Sequence, residues 1–299
     1  MRGSLNGTRK IGALLLCAVS LFSCGKSEPE AQRFAVRGVV QEVKEGGKVL
    51  VIDHEEIPGY MRPMIMPFRV KDASESAGLA AGDELTFTLV VQDLASWIEG
   101  IHRTGKKGEI KSQSSSNTQP AAPLLKPGDQ LPDYEFVDQD NRQVKLSSFR
   151  NGPVALSFIF TRCPVPEYCP ATMRKFAEVQ EFLSKDPEAP ANWHLLTASF
   201  DSAHDLPPVM KSFGLAYGQD GKKWSMLSSH ACCMQELAAN VGLRYGEIKG
   251  SYEHNLRTVV LDAQGRIIRI FTDETWKPAE LVAGIKAAAK PVASAAPTP

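Results

Sequence analysis

The stretch VALSFIFTRCPVPEYCP, residues 154–170, decides the fold of the larger part of this chain. Its first eight residues, Val154 to Thr161, are almost continuously apolar over the length of one strand, the pattern of a central strand covered on both faces. Two cysteines follow, Cys163 and Cys169, set among Pro164, Pro166 and Pro170. Beyond them Met173, Phe176, Val179 and Leu183 recur at helical spacing, so a helix starts near Pro170, which a first turn tolerates because the missing N–H has no partner there. A strand that runs through cysteines into a helix puts them where open α/β sheets build their sites. The positive end of that helix predicts a lowered pKa at Cys169.

Outward from this stretch, WHLLTASFD (193–201) reads as a second buried strand ending at Asp201, and HNLRTVVLDAQGRIIRIF (254–271) as a hairpin turning at Ala263-Gln264-Gly265. A helix from Pro278 to Ala289 closes the unit. This order predicts an α/β thioredoxin-like domain over residues 124–290. Within that fold the sequence resembles the Sco/SenC family of copper chaperones. The matching residues are Thr161-Arg162-Cys163-Pro164, Cys169-Pro170, Ser199-Phe200-Asp201, and His254 just ahead of the hairpin. The resemblance implies copper held by the Cys163 and Cys169 thiolates and the His254 imidazole. It also implies delivery of copper to the CuA centre of cytochrome c oxidase, or reduction of that centre's cysteines. The family spaces its cysteines C-x3-C; here they are C-x5-C, two residues longer, and the proline-bracketed insertion has to loop out for the sulfurs to converge. The Trp-Cys-Gly-Pro-Cys run of a general thioredoxin is absent.

Upstream, residues 34–103 read as all-β. FAVRGVVQEV and KVLVIDHEEI are joined across Glu45-Gly46-Gly47, and Leu85, Phe87, Leu89 and Val91 alternate with more polar residues. About five short strands predict a small barrel of the OB type. Its chemistry lies in HEEIPGYMRPMIM (54–66), where three of the eight methionines fall within six positions. On a strand Met64 and Met66 project from one face. Thioethers beside the His54 imidazole form a soft, uncharged set suited to Cu(I), whereas methionines without a ligand would only fill core. The segment resembles the periplasmic CusF-like copper-binding domain, which implies His54, Met61, Met64 and Met66 as the ligand group. Met61, next to Tyr60, stands where some members place a tryptophan.

Arg2, Arg9 and Lys10 precede a twelve-residue apolar run from Ile11 to Phe22, too short to span a bilayer. The run ends in Leu21-Phe22-Ser23-Cys24-Gly25, similar to a bacterial lipobox, so residues 1–23, with Cys17, are expected to be a lipoprotein signal peptide and Cys24 the lipidated residue. Residues 24–33 are a tether. Residues 104–123 are poor in large apolar side chains and read as a flexible linker that permits contact between the modules without enforcing it; residues 291–299 read as a disordered tail.

With 299 residues, 43% of them apolar and 23% charged, the chain suits two domains and is neither disordered, collagen-like nor multi-spanning. Lys plus Arg equals Asp plus Glu at 34 each, so no basic excess favours nucleic acid as a partner. No Ser-His-Asp order, phosphate loop or paired carboxylates stand out. Cys232 and Cys233 lie on an amphipathic segment where adjacent side chains point about 100° apart, which favours a buried structural role for at least one of them over a third metal site. Asp201 and His204 either support the metal centre or cap the helix beginning near Pro207-Pro208. The expectation is a lipid-anchored, periplasm-facing copper metallochaperone, with thiol-disulfide oxidoreductase activity left open. The open alternatives are an exported thiol-disulfide oxidoreductase working through Cys163 and Cys169, and a copper-buffering or resistance lipoprotein.

Overall fold

Strand β1 (Gln32–Lys44) turns back on β2 (Val49–His54) through Glu45, Gly46 and Gly47, all at positive φ, which the two glycines adopt without steric cost. β3 (Met64–Arg69), β4 (Asp83–Gln92) and β5 (Ala95–Lys107) complete an antiparallel sheet in the order β3-β2-β1-β4-β5. Val36, Val40, Leu50, Ile52, Phe68, Leu85, Phe87, Leu89 and Ile98 fill its concave side. The expected barrel is a curled sheet whose outer strands meet at one bridge, Val70 to Ile98, rather than along a ladder.

The computed structural model describes residues 1, 3, 31–61, 63–92, 95–111, 122–229, 231–248 and 251–290. The export segment with Cys17 and Cys24, residues 112–121 of the linker, the tail 291–299 and the Cys232 side chain lie outside the described residues. Among the described residues no helix is long and apolar enough to cross a membrane.

The start of the expected linker is not linker. β5 runs to Lys107, and the chain stays on the small module through Lys111: Gly108 N–H donates to Gly82 O at 2.9 Å, and Lys111 N–H to Gln41 Oε1 at 2.8 Å. Composition misses this because residues 102–107 are exposed and polar, and backbone pairing with β4 holds them without any apolar side chain.

The larger domain is built on a seven-stranded sheet. β6 (Glu135–Asp138), β7 (Gln143–Lys145), β8 (Val154–Ile159), β9 (His194–Ser199), β10 (Trp224–Ser228), β13 (Thr258–Leu261) and β14 (Ile267–Phe271) lie in the order β14-β13-β8-β9-β10-β6-β7. β8, β9 and β10 are parallel, and every residue of β8 is buried. Helix α1 (Cys169–Lys185) turns Met173, Phe176, Val179 and Leu183 inward, and α4 (Pro278–Ala288) packs against it. α2 (Pro207–Ala216) covers β10, and α3 (Ala231–Val241) buries Met234, Leu237, Ala238 and Val241. A separate ribbon of β11 (Tyr245–Ile248) and β12 (Ser251–His254) precedes β13.

Candidate metal centre

β8 leads into Phe160, and the chain then turns sharply: Cys163 N–H donates to Phe160 O at 3.2 Å and Tyr168 N–H to Val165 O at 3.1 Å, before Cys169 opens α1. The five residues between the cysteines loop outward, so both thiols point into one place. Cys163 Sγ, Cys169 Sγ and a ring nitrogen of His254 all lie within 4.8 Å of one another, and both cysteines are free thiols. The longer spacing therefore does not prevent convergence.

His254 arrives from the end of β12, paired across the ribbon with Tyr245. Its Nδ1 lies 2.8 Å from the carbonyl oxygen of Asn255, so Nδ1 carries a proton and Nε2 is the nitrogen left to offer a lone pair to a metal. Nε2 is buried without a hydrogen-bond partner. Phe160, Tyr168 and Phe200 surround the ring at centroid distances of 5.7, 5.7 and 5.0 Å and hold its orientation. Two thiols and an imidazole nitrogen lacking a partner fit a soft to borderline ion such as copper. A hard, oxygen-seeking cation would find no ligand among these three.

The thiols are not equivalent. Burial pushes Cys163 up, but the hydrogen bond from Cys169 and the neighbouring His254 imidazole outweigh it and hold Cys163 well below the usual thiol range. Burial, with the adjacent Cys163, drives Cys169 well above that range. The lowered pKa expected at Cys169 from its helix terminus falls on Cys163 instead: burial penalises both thiolates, but Cys163 receives the hydrogen bond from Cys169 and lies beside His254, and its charge then opposes ionisation of Cys169.

A buried acidic pair stands behind the loop. Asp201, 1% exposed, takes the Arg162 guanidinium at 2.6 Å and lies 3.5 Å from the Tyr252 hydroxyl. Asp205, fully buried, accepts from Thr161 N–H at 2.9 Å and from the hydroxyls of Thr161 and Ser199, each at 2.5 Å. Asp201 thus braces the residue beside Cys163, and the α2 cap position belongs to Leu206. His204 is exposed and contributes only backbone hydrogen bonds, its N–H to Asp201 O and its carbonyl oxygen accepting from Leu206 N–H. Arg162 and Asp205 were absent from the sequence-based candidates; an arginine directly after a buried strand was the one available signal. Cys233 is half-buried on α3 and lies outside the Cys163, Cys169 and His254 cluster.

In the small module His54 faces Met64 across the β2–β3 ladder, and Met66 faces Ile52 two residues on, so all four share the inner side of the sheet. His54 Nδ1 lies 2.6 Å from Glu55 O, and the ring meets Phe68 edge-on at 5.5 Å. Met61 is buried at the mouth of the turn leading into β3, bridged to Ile57. Tyr60 stacks on Phe34 at 4.6 Å and turns its hydroxyl outward.

That hydroxyl reaches the other domain, donating to Pro164 O at 2.7 Å. Ser96 donates its N–H and its hydroxyl, at 2.8 Å, to Glu167, and Arg69 pairs with Glu274 at 2.6 Å. Met64, Ile65, Met66 and Pro67 of β3 thereby close over Cys163 and His254, leaving a cavity of about 20 Å³.

The SCO1/SenC family model matches residues 124–290, and the model of the copper binding periplasmic protein CusF matches residues 33–103. Among solved structures, the chain is similar to a SCO1/SenC family lipoprotein from Bacillus anthracis str. Ames (18% identity, 56% of this chain and 99% of that one, TM-score 0.50). It is also similar to Bradyrhizobium japonicum ScoI with copper bound (21% identity, 52% and 97%, TM-score 0.43) and to apo Sco1 from Thermus thermophilus (25% identity, 56% and 91%, TM-score 0.42). No curated protein sequence matches. The first family model covers more than half of the chain, so the protein belongs to the SCO1/SenC family and carries a CusF copper-binding domain ahead of its thioredoxin-like domain.

Proposed function

We propose that this protein is an exported, lipid-anchored copper chaperone that receives Cu(I) on its small module and delivers copper from Cys163, Cys169 and His254 to an oxidase client, the CuA centre of cytochrome c oxidase. The carrying observation is the convergence of two free thiols and the buried, lone-pair-bearing Nε2 of His254 within 4.8 Å. Copper is cargo in this reading. The Asn255 carbonyl accepts a hydrogen bond from the Nδ1–H of His254, and the aromatic walls hold the ring in place. His54, Met61, Met64 and Met66 are the proposed ligands of the small module, whose uncharged sulfurs bind more weakly than thiolates and so favour transfer onward.

Reduced protein is expected to bind one copper at the larger domain. Cys163→Ser or Cys169→Ser removes it, oxidation of the pair to a disulfide abolishes it, and His254→Ala weakens it by at least an order of magnitude. The small module's own copper is separated in this assay by titrating in a His54→Ala background. Wild-type affinity in His254→Ala would remove that residue from the centre.

A second reading, thiol-disulfide exchange with a client, rests on the placement of both thiols at a strand-to-helix junction of a thioredoxin-like fold. Turnover of a disulfide substrate by copper-free protein distinguishes it.

A further inference from the structure

The residues added between the cysteines do more than loop out. Pro164, Val165, Glu167 and Tyr168 form the ground on which the small module sits. Pro164 O accepts from Tyr60, and both carboxylate oxygens of Glu167 accept from Ser96. Val165 and Tyr168 line the same interfacial cavities as Pro67 of β3. The alternation of β3 gives it two sides: Met64 and Met66 pack into the module's apolar core and reach the cavity at its edge, while Ile65, Pro67 and Arg69 project from the side that meets the larger domain. Under this cover Cys163 is 9% exposed and Cys169 1%. The remaining cavity of about 20 Å³ has room for one water-sized body and for no protein side chain.

We propose that the Cys163–Cys169 loop is the receptor for the small module, and that the docked module is a gate: the thiols and His254 meet a protein client only when the Tyr60–Pro164, Ser96–Glu167 and Arg69–Glu274 contacts have opened. The same surface cannot hold the module and a client at once, so the module is an intramolecular competitor of client docking. Its ties are few and non-covalent. Arg69 in the ion pair is 57% exposed, so the closed form is of the kind that opens reversibly. The covalent connection through residues 112–121 keeps the opened module close enough to return.

The inference takes from the proposed function only the identity of what is gated, and its test requires neither copper nor a client. Full-length, reduced, copper-free protein is treated with a polyethylene glycol maleimide, and modification is read by mass spectrometry on the peptide carrying Cys163 and Cys169. Ile65→Glu places a carboxylate on the docking side of β3 and is expected to raise the modification rate at least tenfold. Arg69→Glu, which opposes two carboxylates across the interface, is expected to raise it several-fold, and Arg69→Glu with Glu274→Arg to return it to the wild-type rate. That rescue excludes misfolding as the cause, since a defect inside one domain is not repaired by a substitution in the other. Equal rates in wild type, Ile65→Glu and Arg69→Glu would overturn the gate, as would an Arg69→Glu rate left unchanged by Glu274→Arg. Loss of copper binding in His254→Ala, or its absence, bears on the chaperone reading alone.

Discussion

At the scale of single residues, burial decides which groups carry charge. His194, at the start of β9, is enclosed beside Phe149 and hydrogen-bonded to the Ser225 hydroxyl at 2.9 Å. Burial, then the nearby Lys223, pulls its pKa from 6.5 down to about 4. The unfolded chain therefore binds a proton that the folded chain refuses between those two values, so stability is full above pH 6.5 and falls as the pH drops toward 4. At roughly 1.4 kcal/mol per unit the loss is about 3 kcal/mol at the acid end of the window. Urea unfolding at both ends of this window measures it. His194→Gln is expected to remove this part of the slope; an unchanged slope would assign it to other groups. Nothing in WHLLTASFD distinguishes this histidine from a surface one, because its environment is supplied by Phe149 and Ser225, remote in sequence. The residue types of the candidate centre were legible, since cysteine and histidine announce themselves. The braces Arg162 and Asp205 were not, because their meaning is a contact between segments forty-four residues apart at Thr161 and Asp205.

At the scale of elements, β1 and β2 approach closely where the small module places its imidazole. Gly38 lies opposite His54, and a Cβ added there would stand 2.5 Å from Ile52 Cγ2, 2.8 Å from Asp53 O and 3.0 Å from His54 Cα. Backbone cannot yield as a flexible side chain does, so Gly38→Ala must push β2 away at His54. The expected result is a loss of about 1–3 kcal/mol in stability and a weakened Cu(I) affinity at the small module, with copper binding at the larger domain unchanged. Thermal unfolding and a Cu(I) competition titration read the two effects; unaltered affinity would show that His54 is not a ligand or that the strands give way elsewhere. The elements legible beforehand, β8, β9, the β13–β14 hairpin, α1 and α4, carry strong apolar periodicity. β6, β7 and β10 are three to five residues long, and the tail of β5 is polar and exposed. Such strands exist because a neighbour offers hydrogen bonds, and no local pattern records that.

At the scale of the whole molecule, the two modules belong to one unit and share a boundary at the candidate centre. A sequence reading allowed contact without requiring it. The contact draws on Tyr60, Arg69 and Ser96 from one module and on Pro164, Glu167 and Glu274 from the other, none of which stood out as a recognition motif. The proposed attachment to a membrane is tested at the same scale. Cys24 follows a short apolar run and a small residue, so the mature chain is expected to begin at Cys24 with a lipid and to partition into detergent. Cys24→Ala is expected to release it into the soluble fraction or leave it unprocessed. Recovery of an unlipidated soluble chain from wild-type cells would remove the anchor.

By itself the sequence determined what is local: the buried strand, the helix face behind it, the residue types of the candidate site, and the two family patterns at residues 33–103 and 124–290. These rest on periodicity and residue chemistry, which neighbours along the chain are enough to express. Tertiary structure alone decided which thiol is held low, which nitrogen of His254 carries the lone pair, and that the longer cysteine loop supports the small module. Each of these depends on desolvation and on hydrogen bonds between distant segments, and those arise only when the chain has packed.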